Sequence, residues 1–177
     1  MVKCGNNIYI FELYKQKPAI LDIYFFGTFN CKADAKGRIM LPVSLRNQMT
    51  PILNEGFYIK KSYYSECLEL YPAQEWNKVN AEFEGVSRFD DEAQSFIRMF
   101  RHGLRSVEVD NSGRLLINKD AIAMAGIKKD VIVVSMGKRI EIWDADTYEN
   151  AISATKEEKK ELAKRVMLGK NNNSDVS

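Results

Sequence analysis

The sequence predicts an α+β fold, mainly β, built from two copies of one small module, and three observations lead there. The segment NCKADAKGRIMLP (Asn30–Pro42) is echoed by SVEVDNSGRLLIN (Ser106–Asn118) at an offset of 76 residues, which superposes Asp34 on Asp110, Gly37 on Gly113 and Arg38 on Arg114. CLELYPAQEW (Cys67–Trp76) is mirrored by RIEIWDADTY (Arg139–Tyr148) at an offset of 72, so the first copy is four residues longer inside. Around both echoes polar and apolar side chains alternate with the two-residue period of half-buried strands. Internal repetition of this kind sets architecture ahead of local propensity.

In Thr28–Ala33 the side chains of Phe29, Cys31 and Ala33 share one face and those of Thr28, Asn30 and Lys32 the other. A turn, Asp34-Ala35-Lys36-Gly37, leads to a more apolar strand, Arg38–Leu41. Asp can hydrogen-bond the backbone ahead of it and Gly can take positive φ, so the two strands read as a hairpin. Pro42 suits the first position of a short helix whose apolar stripe is Leu45 and Met49 and which ends before Pro51. Strands Phe57–Lys61 and Cys67–Tyr71, joined by the turn Tyr63–Glu66, and a helix starting at Pro72 complete the module. The module is therefore hairpin, short helix, hairpin.

From about Asp90 to Leu104 the pattern predicts a bridging helix with Phe96, Phe100 and Leu104 as its apolar stripe and His102 within it. Asp90, Asp91 and Glu92 suit its N-terminus, and Arg98, Arg101 and Arg105 read as a solvated edge in preference to a phosphate site. The second copy repeats the punctuation with other residues. Asn118 serves as N-cap, Ala121, Met124 and Ala125 as the stripe, and Gly126 as the stop. Strands Val131–Ser135 and Arg139–Trp143 follow, then Asp144 as the N-cap of another helix. Tyr71, Trp76, Trp143 and Tyr148 occupy corresponding apolar phases and are expected to pack in the core or at a subunit interface. KEEKKELAKRVMLG after Thr155 reads as a charged helix and GKNNNSDVS as a disordered tail. The expected organisation is a flexible extension at 1–23, a first module at 24–80, a helical bridge at 81–104, a second module at 105–152, and a charged helix with tail at 153–177.

The chain has 177 residues, 45% of them hydrophobic and 28% charged, which excludes disorder as its general state. A net charge of +2 is weakly basic, so binding to nucleic acid requires basic residues gathered on one face or several subunits acting together. Cys4, Cys31 and Cys67 are odd in number and widely spaced, which fits neither a disulfide framework nor a zinc site and suits a reducing cytoplasm. No apolar run approaches the roughly 18–20 residues of a membrane span. Ile8–Leu13 is too short, contains Glu12 and lacks a cleavage site, so it does not read as a signal peptide. His102 is the sole histidine and has no Ser or Cys motif beside it. With no P-loop, dinucleotide glycine pattern or metal-spaced carboxylates, no catalytic residue, metal ligand or cofactor is assigned.

Order and spacing of several blocks resemble the MraZ family, bacterial transcriptional regulators made of two AbrB-like swapped-hairpin modules. The blocks are Phe25-x-Gly27, Asp34-x-Lys36-Gly37-Arg38, Pro42-x-x-x-Arg46, CLELYPAQEW, Asp110-x-x-Gly113-Arg114, Ala125-Gly126-Ile127 and Glu141-Ile142-Trp143-Asp144. The likeness runs from Tyr24 to about Ser153, so residues 1–23 precede the usual family start. It implies a pseudo-symmetric β-barrel with short helices. It also implies a cytoplasmic, nucleoid-associated repressor of the division and cell-wall gene cluster, its own operon included. As partners it implies double-stranded DNA bearing short direct repeats and other copies of the chain in a ring-like homo-oligomer, with no membrane.

The resemblance places the Asp-x-x-x-Arg motif on the DNA-binding face. Lys36, Arg38 and Arg114 are thus the expected DNA contacts, while Asp34, Gly37, Asp110 and Gly113 order the two turns. An arginine at a hairpin tip can fork onto a guanine edge or a phosphate. Asn111-Ser112 replaces Ala35-Lys36 in the second copy, so the first copy is expected to dominate. An internal salt bridge is the competing role for either arginine. The rival functions are an AbrB-type antitoxin-like module whose partner is a protein, and an enzyme using Cys31, Cys67 or His102.

Overall fold

The computed structural model describes residues 22–172, which divide after Asp144 into two compact units. Positions 1–21 of the expected extension, Cys4 among them, and the last five residues of the expected tail lie outside the described residues. The first unit contains β1 (Thr28–Lys32), β2 (Arg38–Met40), α1 (Val43–Met49) with a 3-10 turn (Thr50–Glu55), β3 (Phe57–Lys61) and β4 (Cys67–Pro72). It continues through α2 (Ala73–Ala81), α3 (Asp91–Phe100), β5 (Arg105–Val107), β6 (Arg114–Leu116), α4 (Lys119–Met124), β7 (Asp130–Ser135) and β8 (Ile140–Asp144). The second unit holds α5 (Ala145–Ile152) and α6 (Lys156–Asn172). The fold is α+β and every strand pairing is antiparallel.

Six strands form one sheet in the order β1-β7-β8-β4-β3-β5, and β2 pairs with β6 in a separate two-stranded ribbon. The expected hairpins are therefore only turns. A single bridge, Ala33↔Ile39, joins the legs of the first, and Val109↔Leu115 those of the second. Beyond the bridge the legs part and each pairs with the other copy: β1 with β7, β5 with β3, and β2 with β6. The reason lies in the ladder. The three residues of β2 could satisfy only part of β1, whereas β7 matches all five, from Thr28↔Val134 to Lys32↔Asp130.

Exchanging the two copies reproduces the sheet order, so a pseudo-twofold axis passes between β4 and β8 and between β2 and β6. It crosses two in-register pairs of equivalent residues, Glu69↔Glu141 in the sheet and Ile39↔Leu115 in the ribbon. Ribbon residues Ile39, Leu41, Leu115 and Ile117 share one apolar cluster with Leu68, Leu70, Val131, Val133, Ile140 and Ile142 of the sheet. Each such aliphatic side chain contributes about 1.5–3 kcal/mol on full burial. Among the described residues β1 and β5 do not pair with each other, so the sheet is open and hydrogen bonds do not close the expected barrel.

Other β4 and β8 side chains are buried away from that cluster. Lys60, fully buried, pairs with Glu69 at 2.6 Å and sits 4.2 Å from the Phe100 ring centroid. Glu69 also accepts hydrogen bonds from Ser62 and Tyr71, while Glu141 accepts from Trp143 Nε1 at 3.0 Å. Tyr71, Trp76 and Trp143 are buried, as expected of packing residues; Tyr148 is half-buried on α5 of the second unit.

Local expectations change in the bridge and in the C-terminal helix. The helix of the bridge ends at Phe100, because Gly103 takes φ 73° and closes the turn in which His102 lies. Leu104 and Arg105 thus leave the helical stripe and edge, and Arg105 pairs from β5 with Asp120 at 3.5 Å. Helix α1 ends at Met49, before Pro51 as expected, and the chain continues into the 3-10 turn, where Pro51 occupies a first-turn position that needs no N–H donor. Lastly, α6 runs through Asn172, past Gly169 where the tail was expected to begin. Its start is secured by a capping box in which Thr155 N donates to Glu158 Oε2 and Glu158 N to Thr155 Oγ1.

Candidate nucleic-acid interface

Both motif turns are built around their aspartate. Asp34 Oδ1 accepts from the backbone N–H groups of Lys36 (2.9 Å) and Arg38 (3.0 Å), and Oδ2 accepts from Arg38 Nε and Nη2, both at 2.6 Å. In the second turn Asp110 Oδ1 accepts from Ser112 N (2.9 Å) and Arg114 N (3.0 Å), and Oδ2 from Arg114 Nε (2.8 Å). The backbone closes identically: Asp34 N donates to Arg38 O and Asp110 N to Arg114 O, each at 2.9 Å. The Arg38 hydrogen bond, aided by the turn's backbone N–H groups, holds the Asp34 carboxyl down at about 2. Asp110 is lowered too, chiefly by the Arg114 backbone N–H.

The expected internal salt bridge is present in both copies, yet neither arginine is consumed by it. Their side chains are about one-third exposed, 33% for Arg38 and 36% for Arg114. A guanidinium has five N–H donors, and Asp34 takes only two from Arg38. The aspartates thus fix each arginine in one pose while leaving donors facing solvent.

Pairing of β2 with β6 brings the two turns to opposite ends of one ribbon. Its inward face is Ile39 and Leu115; its outward face is Arg38 beside Leu116 and Met40 beside Arg114. The two arginines are diagonal neighbours, about 7–8 Å apart at the backbone. Met40 and Leu116, half exposed between them, were not singled out from the sequence. The alternation of burial along RIM and RLL is the signal that finds them, once the two segments are known to pair.

Gly37 and Gly113 have φ 80° and 79° and are buried, and each touches the other copy. Ile117 N donates to Gly37 O and Leu41 N to Gly113 O, both at 3.0 Å. A Cβ on Gly37 would overlap the Ile117 carbonyl oxygen, whereas one on Gly113 would overlap the side chain of Arg46. Lys36 is exposed at the first turn; Asn111 and Ser112 are exposed at the second.

The groups of the enzymatic rival are poorly placed for chemistry. Cys31 and Cys67 are buried free thiols. Burial pushes both up, Cys67 to about 12, leaving almost no thiolate at neutral pH. His102 lies beside Lys61, Ser62, Tyr63, Arg98 and Met99. No group of three His, Cys, Asp or Glu among the described residues is placed to hold a metal ion, and no helix among them is long and apolar enough to cross a membrane.

The family model described as "MraZ protein, putative antitoxin-like" matches twice, over residues 24–99 and 99–170. A protein of Christiangramia forsetii named Transcriptional regulator MraZ is 43% identical over 82% of this chain and 94% of its own length. Proteins of the same name from Flavobacterium psychrophilum and Cytophaga hutchinsonii are 43% and 35% identical, over 80% and 81% of this chain and 90% and 95% of their own. With both halves of the fold matched and its paired Asp-x-x-x-Arg turns in place, the chain belongs to the MraZ family.

Proposed function

We propose that this protein is a sequence-specific, DNA-binding transcriptional regulator that represses the division and cell-wall gene cluster containing its own operon. One observation carries the reading: at opposite ends of a single exposed ribbon stands an arginine held in the same pose by an aspartate of its own turn. A rigid two-stranded ribbon fits the major groove, where such arginines fork onto guanine edges or phosphates. Lys36, Arg38 and Arg114 contact DNA, Met40 and Leu116 supply apolar contact to thymine methyl groups, and Asp34, Gly37, Asp110 and Gly113 order the turns. The action is binding, with no catalytic step and no cofactor.

Several further features belong to this reading. Sheet and ribbon work as one pseudo-symmetric barrel, supported by the apolar cluster they share. Functional modules at 24–80 and 105–152 are joined by the 81–104 bridge and flanked by 1–23 and 153–177. Ring-like homo-oligomers in the cytoplasm, at the nucleoid, engage short direct repeats, so that weak contacts of one protomer add up along the DNA.

The test is fluorescence anisotropy of a duplex from upstream of the protein's own gene against a scrambled duplex of equal length, at two salt concentrations. Tight, salt-sensitive binding to the native duplex, lost in Arg38→Ala, is the expected result. Equal binding to both duplexes overturns the reading in favour of the antitoxin-like, protein-partner alternative.

A further inference from the structure

We infer that Arg46, on α1, is a third DNA-contacting arginine and serves the end of the ribbon that carries the Asp110 turn. This rests on the DNA-binding reading above. Arg46 belongs to the first copy, but it lies flush against Gly113 of the second: a Cβ there would overlap Arg46 Cδ and Nη1 and stand 2.7 Å from Nε. At the other end of the ribbon the equivalent neighbour of Gly37 is Ile122, whose Cγ1 would be 3.7 Å from such a Cβ. The pseudo-twofold is therefore broken at one position of each turn's flank, with a guanidinium on one side and an aliphatic chain on the other.

The charges explain what the break does. Each Arg–Asp pair is formally neutral, so the positive field at a ribbon end depends on an unpaired cation. Lys36 is that cation at the first turn, where it is exposed and makes no ion pair among the described residues. Ser112 stands in its place at the second turn, and there Arg46 supplies the charge. Arg46 Nε is enclosed without a hydrogen-bond partner, and its guanidinium makes no ion pair among the described residues. Glu55, Glu108 and Asp110 line the same open groove of about 790 Å³, yet none pairs with it, and Asp110 is engaged by Arg114. A guanidinium packed by its stem, unpaired at its head and set against Gly113 of the second turn is preorganised for an anion from outside, here a DNA phosphate.

The experiment uses the full chain and the duplex from upstream of its own gene, measuring affinity across a salt series for wild type, Arg46→Met, Arg46→Lys and Arg38→Ala, with thermal midpoints for all. Arg46→Met keeps the stem over Gly113 and removes the charge; Arg46→Lys keeps the charge. Expected are about tenfold weaker binding by Arg46→Met with a log–log salt slope shallower by about one, near-complete recovery in Arg46→Lys, and thermal midpoints close to wild type. Wild-type affinity and slope in Arg46→Met, with Arg38→Ala weakened, overturns the assignment of Arg46 and leaves the regulator reading intact. Lost binding in both Arg46 variants with lowered thermal midpoints likewise overturns it, in favour of a packing role. Wild type that fails to prefer the native duplex overturns both readings together.

Discussion

The Asp34 and Asp110 turns share their backbone and Nε hydrogen bonds and differ in what surrounds them. The aspartate, the glycine with φ near 80° and the caged arginine recur. The free cation does not: Lys36 stands within the first turn, whereas at the second Arg46 approaches from a helix of the other copy. Geometry that orders the backbone is thus repeated strictly, since the turn cannot form otherwise, while charge at the surface can come from any element that reaches the place. The glycines differ in the same way, Gly37 facing an immovable backbone carbonyl and Gly113 a side chain that can swing aside.

Cutting the comparison in half should have the largest effect. A chain of residues 22–104 keeps the Asp34 turn but loses β7, β6 and β5, which pair with β1, β2 and β3. It should lose cooperative unfolding as a monomer, checked by urea denaturation with sedimentation; a cooperative monomer would show that the exchanged strands are dispensable. Among point changes, Gly37→Ala should destabilise by on the order of 3 kcal/mol, because left-handed strain adds to a backbone overlap. Gly113→Ala should cost about 1–2 kcal/mol, mostly the strain alone. Equal urea midpoints for the two variants would erase the distinction between the turns.

Arginine removal gives a smaller, functional contrast. Arg38→Ala should weaken DNA binding by at least as much as Arg114→Ala, each by roughly 1–3 kcal/mol, with oligomer size unchanged by light scattering. Disassembly of Arg38→Ala would assign that arginine to the fold instead. The smallest effect concerns pH. Asp34 has its folded value near about 2, below the ordinary 3.8, so its contribution is present above about pH 4 and is lost as pH falls from there towards 2. A carboxyl NMR titration should give a midpoint near 2 in the wild type and a higher one in Arg38→Ala.

Much of the molecule is legible in the sequence. The strands Phe57–Lys61 and Val131–Ser135, the Leu45/Met49 stripe and the Asn118 cap follow from local pattern, and the structure keeps them. Pairing was not legible, because Thr28–Ala33 and Arg38–Leu41 carry every local sign of a hairpin. Which strand completes β1 is settled by a partner about a hundred residues away with enough length to satisfy it. The loss of Leu104 and Arg105 from the bridging helix has a local cause, Gly103, whose signal was present but outweighed by the apolar period. Turn residues Asp34, Gly37, Asp110 and Gly113 could be found from repetition alone. Arg46 could not be placed at the second turn that way, because its role comes from touching the copy to which it does not belong.

One more consequence follows from the pseudo-twofold axis. A true dimer of single modules would carry identical chemistry at both ends of its ribbon and would favour a palindrome. Joining the copies in one chain allows Lys36 to face Ser112 across the axis, Arg46 to face Ile122, and Lys60 to sit where its counterpart is Val134. The ribbon thereby acquires a direction, like an arrow laid along the groove. On the DNA-binding function proposed above, protomers that share this direction call for a sequence written head to tail.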